Sequence, residues 1–113
     1  MQDYCRDQFR AIGKRFGLVD DDIKSAQMGA SGLDMVLSPA ARRIFDVDAE
    51  MKNVEKLNVF NTFTKHFQKY AGTSALKLLI HTKNRSLTLV TMRFEDFIGL
   101  YSKTLPPAIE GAV

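Results

Sequence analysis

At 113 residues, 45% of them hydrophobic and 26% charged, the chain is long enough for one domain, which buries somewhat under about 70% of its unfolded surface, and no stretch approaches a membrane span. Cys5 is the only cysteine, which excludes an intrachain disulfide, and with only His66 and His81 beside it the composition argues against a Cys/His zinc site. Net charge is +3 but unevenly spread: residues 1–51 carry seven Lys/Arg against nine Asp/Glu and residues 52–103 carry nine against three, so the second half is the expected footprint of a nucleic-acid partner.

No basic segment followed by an apolar run opens the sequence, so the reading expects a cytosolic chain without a secretory leader. Cys5, Phe9, Ile12 and Phe16 recur at spacings of four, three and four, which predicts a core-facing helix over residues 2–16 capped by Gly17. Gly13 inside it costs about 1 kcal/mol relative to Ala and marks a site of close packing. Asp20, Asp21 and Asp22 read as a solvated turn rather than a metal site, followed by a first strand over residues 23–28. The Gly29-Ala30-Ser31-Gly32 stretch reads as a connection that brings backbone close to its surroundings, and Ser31 is a candidate phosphate contact.

The next two runs, residues 31–38 and 46–53, read as strands joined by a helical turn that starts at Pro39. Val47, Ala49 and Met51 alternate with Asp46, Asp48, Glu50 and Lys52, so the two-residue period puts Glu50 and Lys52 on one face. In the first run Leu33, Met35 and Leu37 point one way and Asp34 the other. Paired as neighbours, the strands set Asp34 beside Glu50 with Lys52 next along. Two carboxylates about 4 Å apart repel by about 1 kcal/mol in water and several times more in a cleft. A divalent cation relieves that repulsion, and magnesium, a hard ion that keeps several waters, needs little more than this pair and a backbone carbonyl, for which Ala49 is the candidate. Arg42 and Arg43 in the linking turn either reach DNA or face solvent.

A main helix follows over residues 57–70, with Phe60, Phe63, Phe67 and Tyr70 as a core stripe and Asn58, Asn61, Lys65 and Gln68 as a polar stripe turned toward the Glu50 strand. Residues 75–82 read as a buried strand, and Lys83-Asn84-Arg85 as a hairpin tip into residues 87–92 whose cations either grip phosphate or stay solvated. His81 has no Ser or Cys partner legible in the sequence, so a nucleophilic triad is not supported. Phe94, Phe97, Ile98 and Tyr101 are expected to close the core from a last helix, giving one domain over residues 1–105 and a tail over 106–113.

Asp34 followed by Glu50-Met51-Lys52 resembles the signature of the PD-(D/E)XK nucleases. The segments at residues 28–34, 37–42, 50–58 and 83–86 bring the resemblance closest to small phage-encoded and related Holliday-junction resolvases of that superfamily. It spans about residues 22–98. The resemblance implies a restriction-endonuclease-like α/β fold in the order α-β-β-β-α-β-β-α around a mixed sheet, magnesium-dependent cleavage of DNA with manganese as the other candidate metal, and a homodimer. A phage-encoded member would act in the host's cytoplasm. It assigns Asp34 and Glu50 to the metal with the Ala49 carbonyl, Lys52 to the attacking water and Ser31 to DNA contact; Arg42, Arg43, Asn53, Lys65, Lys83 and Arg85 are further candidates for DNA contact.

Two positions depart from the family's pattern. The first-helix Glu or Gln that faces the metal in relatives falls near Arg6 when aligned by the apolar stripe, leaving Asp7 as the neighbouring candidate. A Gln often stands thirteen residues after the motif lysine, where this chain has Lys65. The alternatives to a junction resolvase are a nicking or repair-type endonuclease on duplex DNA and a non-catalytic DNA-binding protein on a nuclease fold.

Overall fold

The computed structural model describes residues 1–27 and 32–111. Its elements are α1 (Gln2–Gly13), β1 (Ile23–Ser25), β2 (Met35–Leu37), α2 (Pro39–Arg42), β3 (Val47–Asn53), α3 (Val59–Lys69), β4 (Leu76–Thr82), β5 (Leu89–Thr91) and α4 (Phe94–Ser102). β1 and β2 form an antiparallel pair, and β3, β4 and β5 a mixed sheet in that order, with β3 parallel to β4 and β4 antiparallel to β5. The chain is therefore α/β, as its alternating patterns predict. No helix among the described residues is long and apolar enough to cross a membrane.

The core lies on one face of the strands. Val47, Ala49 and Met51 of β3 and Leu78 and Ile80 of β4 pack with Cys5 of α1 and with Ile23, Met35 and Leu37 of the two-stranded pair. Phe9 closes one side edge-on against Phe45, ring centroids 5.4 Å apart. α1 crosses close to this layer at Gly13, where a Cβ would meet Leu18 Cδ1 at 3.1 Å and Ile23 Cδ1 at 3.3 Å, so the glycine serves packing. The helix stops there; a 3-10 turn over Lys14–Phe16 follows, ended by Gly17 at φ 81.

Several expectations are corrected. The first-helix stripe is core only through Cys5 and Phe9, since Ile12 and Phe16 are exposed. The first strand ends at Ser25, and Asp34 sits just before β2 instead of within it, because its side chain is drawn to β3. On α3 the buried residue is His66, whereas Phe60 is 79% exposed at the helix start. α4 buries no residue: Phe94, Phe97, Ile98, Leu100 and Tyr101 are all exposed, so the apolar pattern of residues 94–101 identifies a face without a cover among the described residues. α2 is the helical turn predicted at Pro39, with Ser38 as N-cap accepting from the Ala41 N–H at 3.1 Å.

The opposite face of β3 carries a buried polar network. Asp48 is 2% exposed, and the register of the parallel pair sets it across from Lys77, 3% exposed. Its carboxylate accepts from Arg42 Nη1 at 3.0 Å and from the Thr73 hydroxyl at 2.7 Å, with Lys77 Nζ 3.4 Å away. Lys77 also donates to the Thr73 and Ala75 carbonyls and to Thr73 Oγ1, so no proton of the buried ammonium is wasted. Arg42 bonds the Val47 carbonyl and Asp46 as well, which makes it a clamp on β3.

Burial pushes the Asp48 carboxyl up, but the Thr73 hydroxyl, the Arg42 bond and charge and the Lys77 charge outweigh it and hold it below its ordinary value. A carboxyl with a depressed folded-state pKa stabilises the fold fully above the unfolded value of about 3.9 and ceases to do so as pH falls through the folded value. Urea midpoints are therefore expected to drop from pH 5 toward pH 2, with part of that slope absent in Asp48→Asn. An unchanged slope in the variant contradicts the assignment.

Candidate functional site

β3 is paired with β4 along one edge and leaves the other free. Asp34 occupies that free edge: its backbone N–H donates to the Ala49 carbonyl at 3.3 Å, and its Oδ2 accepts from the Met51 N–H at 2.8 Å. Backbone and side chain together straddle Glu50 in the sequence of β3. Asp34 Oδ1 accepts from Gln2 Nε2 of α1 at 3.0 Å, so two elements, α1 and β3, converge on one carboxylate. Glu50 is half-buried, and Lys52, two residues along the same face, holds Nζ 3.4 Å from Glu50 Oε1.

Glu50 and Lys52 open onto a cleft of about 490 Å³ between β3 and α3, to which Lys56, Lys65 and Lys69 also contribute. His66 forms part of its lining. Its Nε2–H donates to the Asp48 carbonyl at 2.8 Å, since a carbonyl only accepts, and this ties α3 to β3 beside the site. His66 Nδ1 and the Tyr70 hydroxyl are buried without a hydrogen-bond partner among the described residues, with the two rings 5.2 Å apart.

The predicted residues separate into groups. Asp34 is joined to β3 at the Ala49 carbonyl and the Met51 N–H, and Glu50, Lys52 and Lys65 are grouped along one cleft. Asp7 is not: it is exposed and pairs with Arg6 at 3.1 Å and Arg10 at 3.9 Å, and among the described residues no three His, Cys, Asp or Glu side chains converge as metal ligands. Its turn of α1 faces away because Gln2, on the stripe of Cys5 and Phe9, takes the inward position. Arg43 and Asn53 are exposed, Asn53 at the carboxyl end of β3. Lys83 and Arg85 lie at the β4–β5 hairpin, where Arg85 adopts φ 57. Ser31 lies outside the described residues.

Sequence reasoning missed Gln2, His66 and the Asp48–Lys77 pair. Gln2 was legible in principle: extending the Cys5–Phe9 stripe back by three residues points it inward. A lone Lys77 inside the apolar run of residues 76–80 was the corresponding signal for the buried pair. His66 was legible too: it stands three residues after Phe63 and four before Tyr70, the spacing of one helix face.

A hard divalent cation takes oxygen ligands, and the region around the free edge of β3 carries several. It offers two carboxylates, a carboxamide at Gln2 whose oxygen and nitrogen exchange places by a flip, and a carbonyl at Ala49 with a second lone pair. No family model matches the chain, and neither curated proteins nor solved structures give a significant match.

Proposed function

We propose that the protein is a metal-dependent endonuclease that hydrolyses DNA phosphodiester bonds, with four-way branched DNA as its preferred substrate, on a restriction-endonuclease-like fold. The single observation that carries this reading is the convergence of Asp34 on the free edge of β3 around Glu50, with Lys52 on the same face and a lysine-lined cleft beneath. The choice of branched DNA rests on the resemblance of Asp34 and Glu50-Met51-Lys52, with their flanking segments, to junction resolvases.

Asp34 and Glu50 would hold magnesium or manganese, with the Ala49 carbonyl and the Gln2 carboxamide oxygen within the same donor set. A bound cation supplies a water of lowered pKa and neutralises charge on the phosphate. Lys52 orients the attacking water and stabilises charge that develops on the phosphate oxygens as the leaving oxygen departs. The α3 lysines hold the flanking backbone in place. A junction requires paired incisions and the chain carries one such site, so the active species is a homodimer, for which the exposed apolar residues of α4 offer the surface.

One observation favours a non-catalytic DNA-binding protein instead: both Asp34 oxygens already accept hydrogen bonds, as they would in a carboxylate that simply caps a strand edge. Incubation with a labelled four-way junction and a linear duplex of the same arms, in magnesium or EDTA, separates the readings. Paired, metal-dependent nicks in the junction are expected. Binding without cutting in both magnesium and manganese overturns the enzyme.

Gln2→Glu gives a readout independent of turnover. A third carboxylate set against Asp34 destabilises the metal-free fold by roughly 1 kcal/mol, which is about 4–8 °C in Tm for a domain near this size. Millimolar magnesium is expected to restore Tm in the variant; a loss that magnesium leaves untouched contradicts a cation at this site.

A further inference from the structure

β3 and β4 are parallel, and two clefts open beside their carboxyl ends, the place where ligands collect on parallel strands. One is the Glu50–Lys52 cleft of about 490 Å³. The other, about 720 Å³, lies between the start of α3 and the β4–β5 hairpin and is lined by Lys83 and Arg85. Val54 and Leu57 line both, so the clefts share one wall.

That wall is fastened to the hairpin rather than to the strand edge. The Val54 N–H donates to the Thr82 carbonyl at 3.2 Å, and the Asn84 N–H at the hairpin tip donates to Glu55 Oε1 at 3.2 Å. Its crest is apolar, with Val54 exposed. The charges on either side are not. Lys52, Lys56, Lys65 and Lys69 face a single acid, Glu50, in the first cleft, and Lys83 and Arg85 face only Glu55 in the second.

Among the described residues Lys56, Lys65, Lys69, Lys83 and Arg85 form no ion pair. Lys65 and Lys69 stand at i and i+4 on α3, where like charges disfavour the helix, so their own repulsion is not relieved within the fold. Two basic clefts divided by a fixed apolar crest match a polyanion whose backbone diverges at that point.

We infer that the Val54–Leu57 wall divides two phosphate-binding clefts that take two arms of one branched nucleic acid: Lys56, Lys65 and Lys69 hold the arm at the Glu50 site, and Lys83 and Arg85 hold the second arm without acting on it. A straight duplex uses the first cleft only. The inference rests on the nucleic-acid reading above and adds a second binding site and a division of labour between the two.

The test is fluorescence-anisotropy binding of a four-way junction and a linear duplex, in EDTA so that no cutting intervenes, across a salt series. Wild type is compared with Lys65→Gln/Lys69→Gln and with Lys83→Gln/Arg85→Gln, each shown folded by circular dichroism. Each cation on a duplex phosphate contributes about 0.9 to the slope of log affinity against log salt. Each pair should therefore lower the junction slope by about 1.8, which at 0.1 M salt is about 60-fold in affinity when the value extrapolated to 1 M is unchanged. The α3 pair is expected to weaken both DNAs, and the hairpin pair the junction alone.

A hairpin variant that binds the junction like wild type, or loses duplex and junction equally, overturns the two-arm assignment while leaving the nuclease reading in place. A wild-type chain with no salt-dependent affinity for either DNA removes both.

Discussion

Asp48→Ala is expected to destabilise the protein by about 3–5 kcal/mol, because it leaves the Lys77 ammonium buried without its counter-ion. Lys77 keeps its bonds to Thr73 and Ala75 but loses the carboxylate 3.4 Å away, and the Thr73 hydroxyl and Arg42 each lose one of their acceptors at the same time. Against a total of about 5–15 kcal/mol for a domain, this is a large fraction. The double replacement Asp48→Leu/Lys77→Met removes both charges from the interior and is expected to recover most of the loss, since apolar residues of similar volume often substitute for a buried ion pair at little cost. Urea unfolding of Asp48→Leu, Lys77→Met and the double gives the coupling directly. Single variants that cost less than about 1 kcal/mol would show that the pair does not hold the β3–β4 register. The functional consequence follows from position: Asp48 is two residues from Glu50 on the same strand, so loosening this clamp moves the face that carries Glu50 and Lys52.

Asp34→Asn is expected to reduce metal-dependent cleavage by about 10³-fold or more, equivalent to about 4 kcal/mol of barrier at 1.36 kcal/mol per tenfold. The substitution is nearly isosteric. The asparagine carbonyl still accepts from the Met51 N–H, so the free edge of β3 remains capped and Tm changes little. DNA affinity in EDTA should be retained, because the lysines of the cleft are untouched. This pattern separates a lost cation site from a lost fold, and single-turnover nicking with parallel thermal melts checks both. A variant that cuts at the wild-type rate removes Asp34 from the chemistry.

Much of this arrangement was legible in the residues because it depends on period. The alternation at residues 46–52 sets Glu50 and Lys52 on one face regardless of what covers them, and the structure has them there. The turn at Pro39, the α3 helix and the Lys83–Arg85 hairpin follow from local chemistry and were readable for the same reason. What period does not encode is the partner of a face. Phe60 and the α4 residues repeat as core positions do, yet they remain exposed among the described residues. Asp34 shows the converse, a residue whose carboxylate stands in for a strand carbonyl, so it lies outside β2 although its neighbours alternate like a strand. The buried Asp48–Lys77 pair required the register of β3 on β4, which a single sequence does not give.

The most direct measurement is a magnesium titration followed by amide resonances of the labelled protein, repeated with manganese as a paramagnetic probe and with Asp34→Asn as control. Shifts confined to the Met51 backbone amide, the Gln2 side-chain amide and the residues flanking Glu50, broadened by manganese and absent in the variant, are the predicted result. Saturating magnesium that leaves these signals in place, with manganese broadening only exposed acids such as Asp20–Asp22, would contradict a cation held by Asp34 and Glu50 and with it the nuclease mechanism.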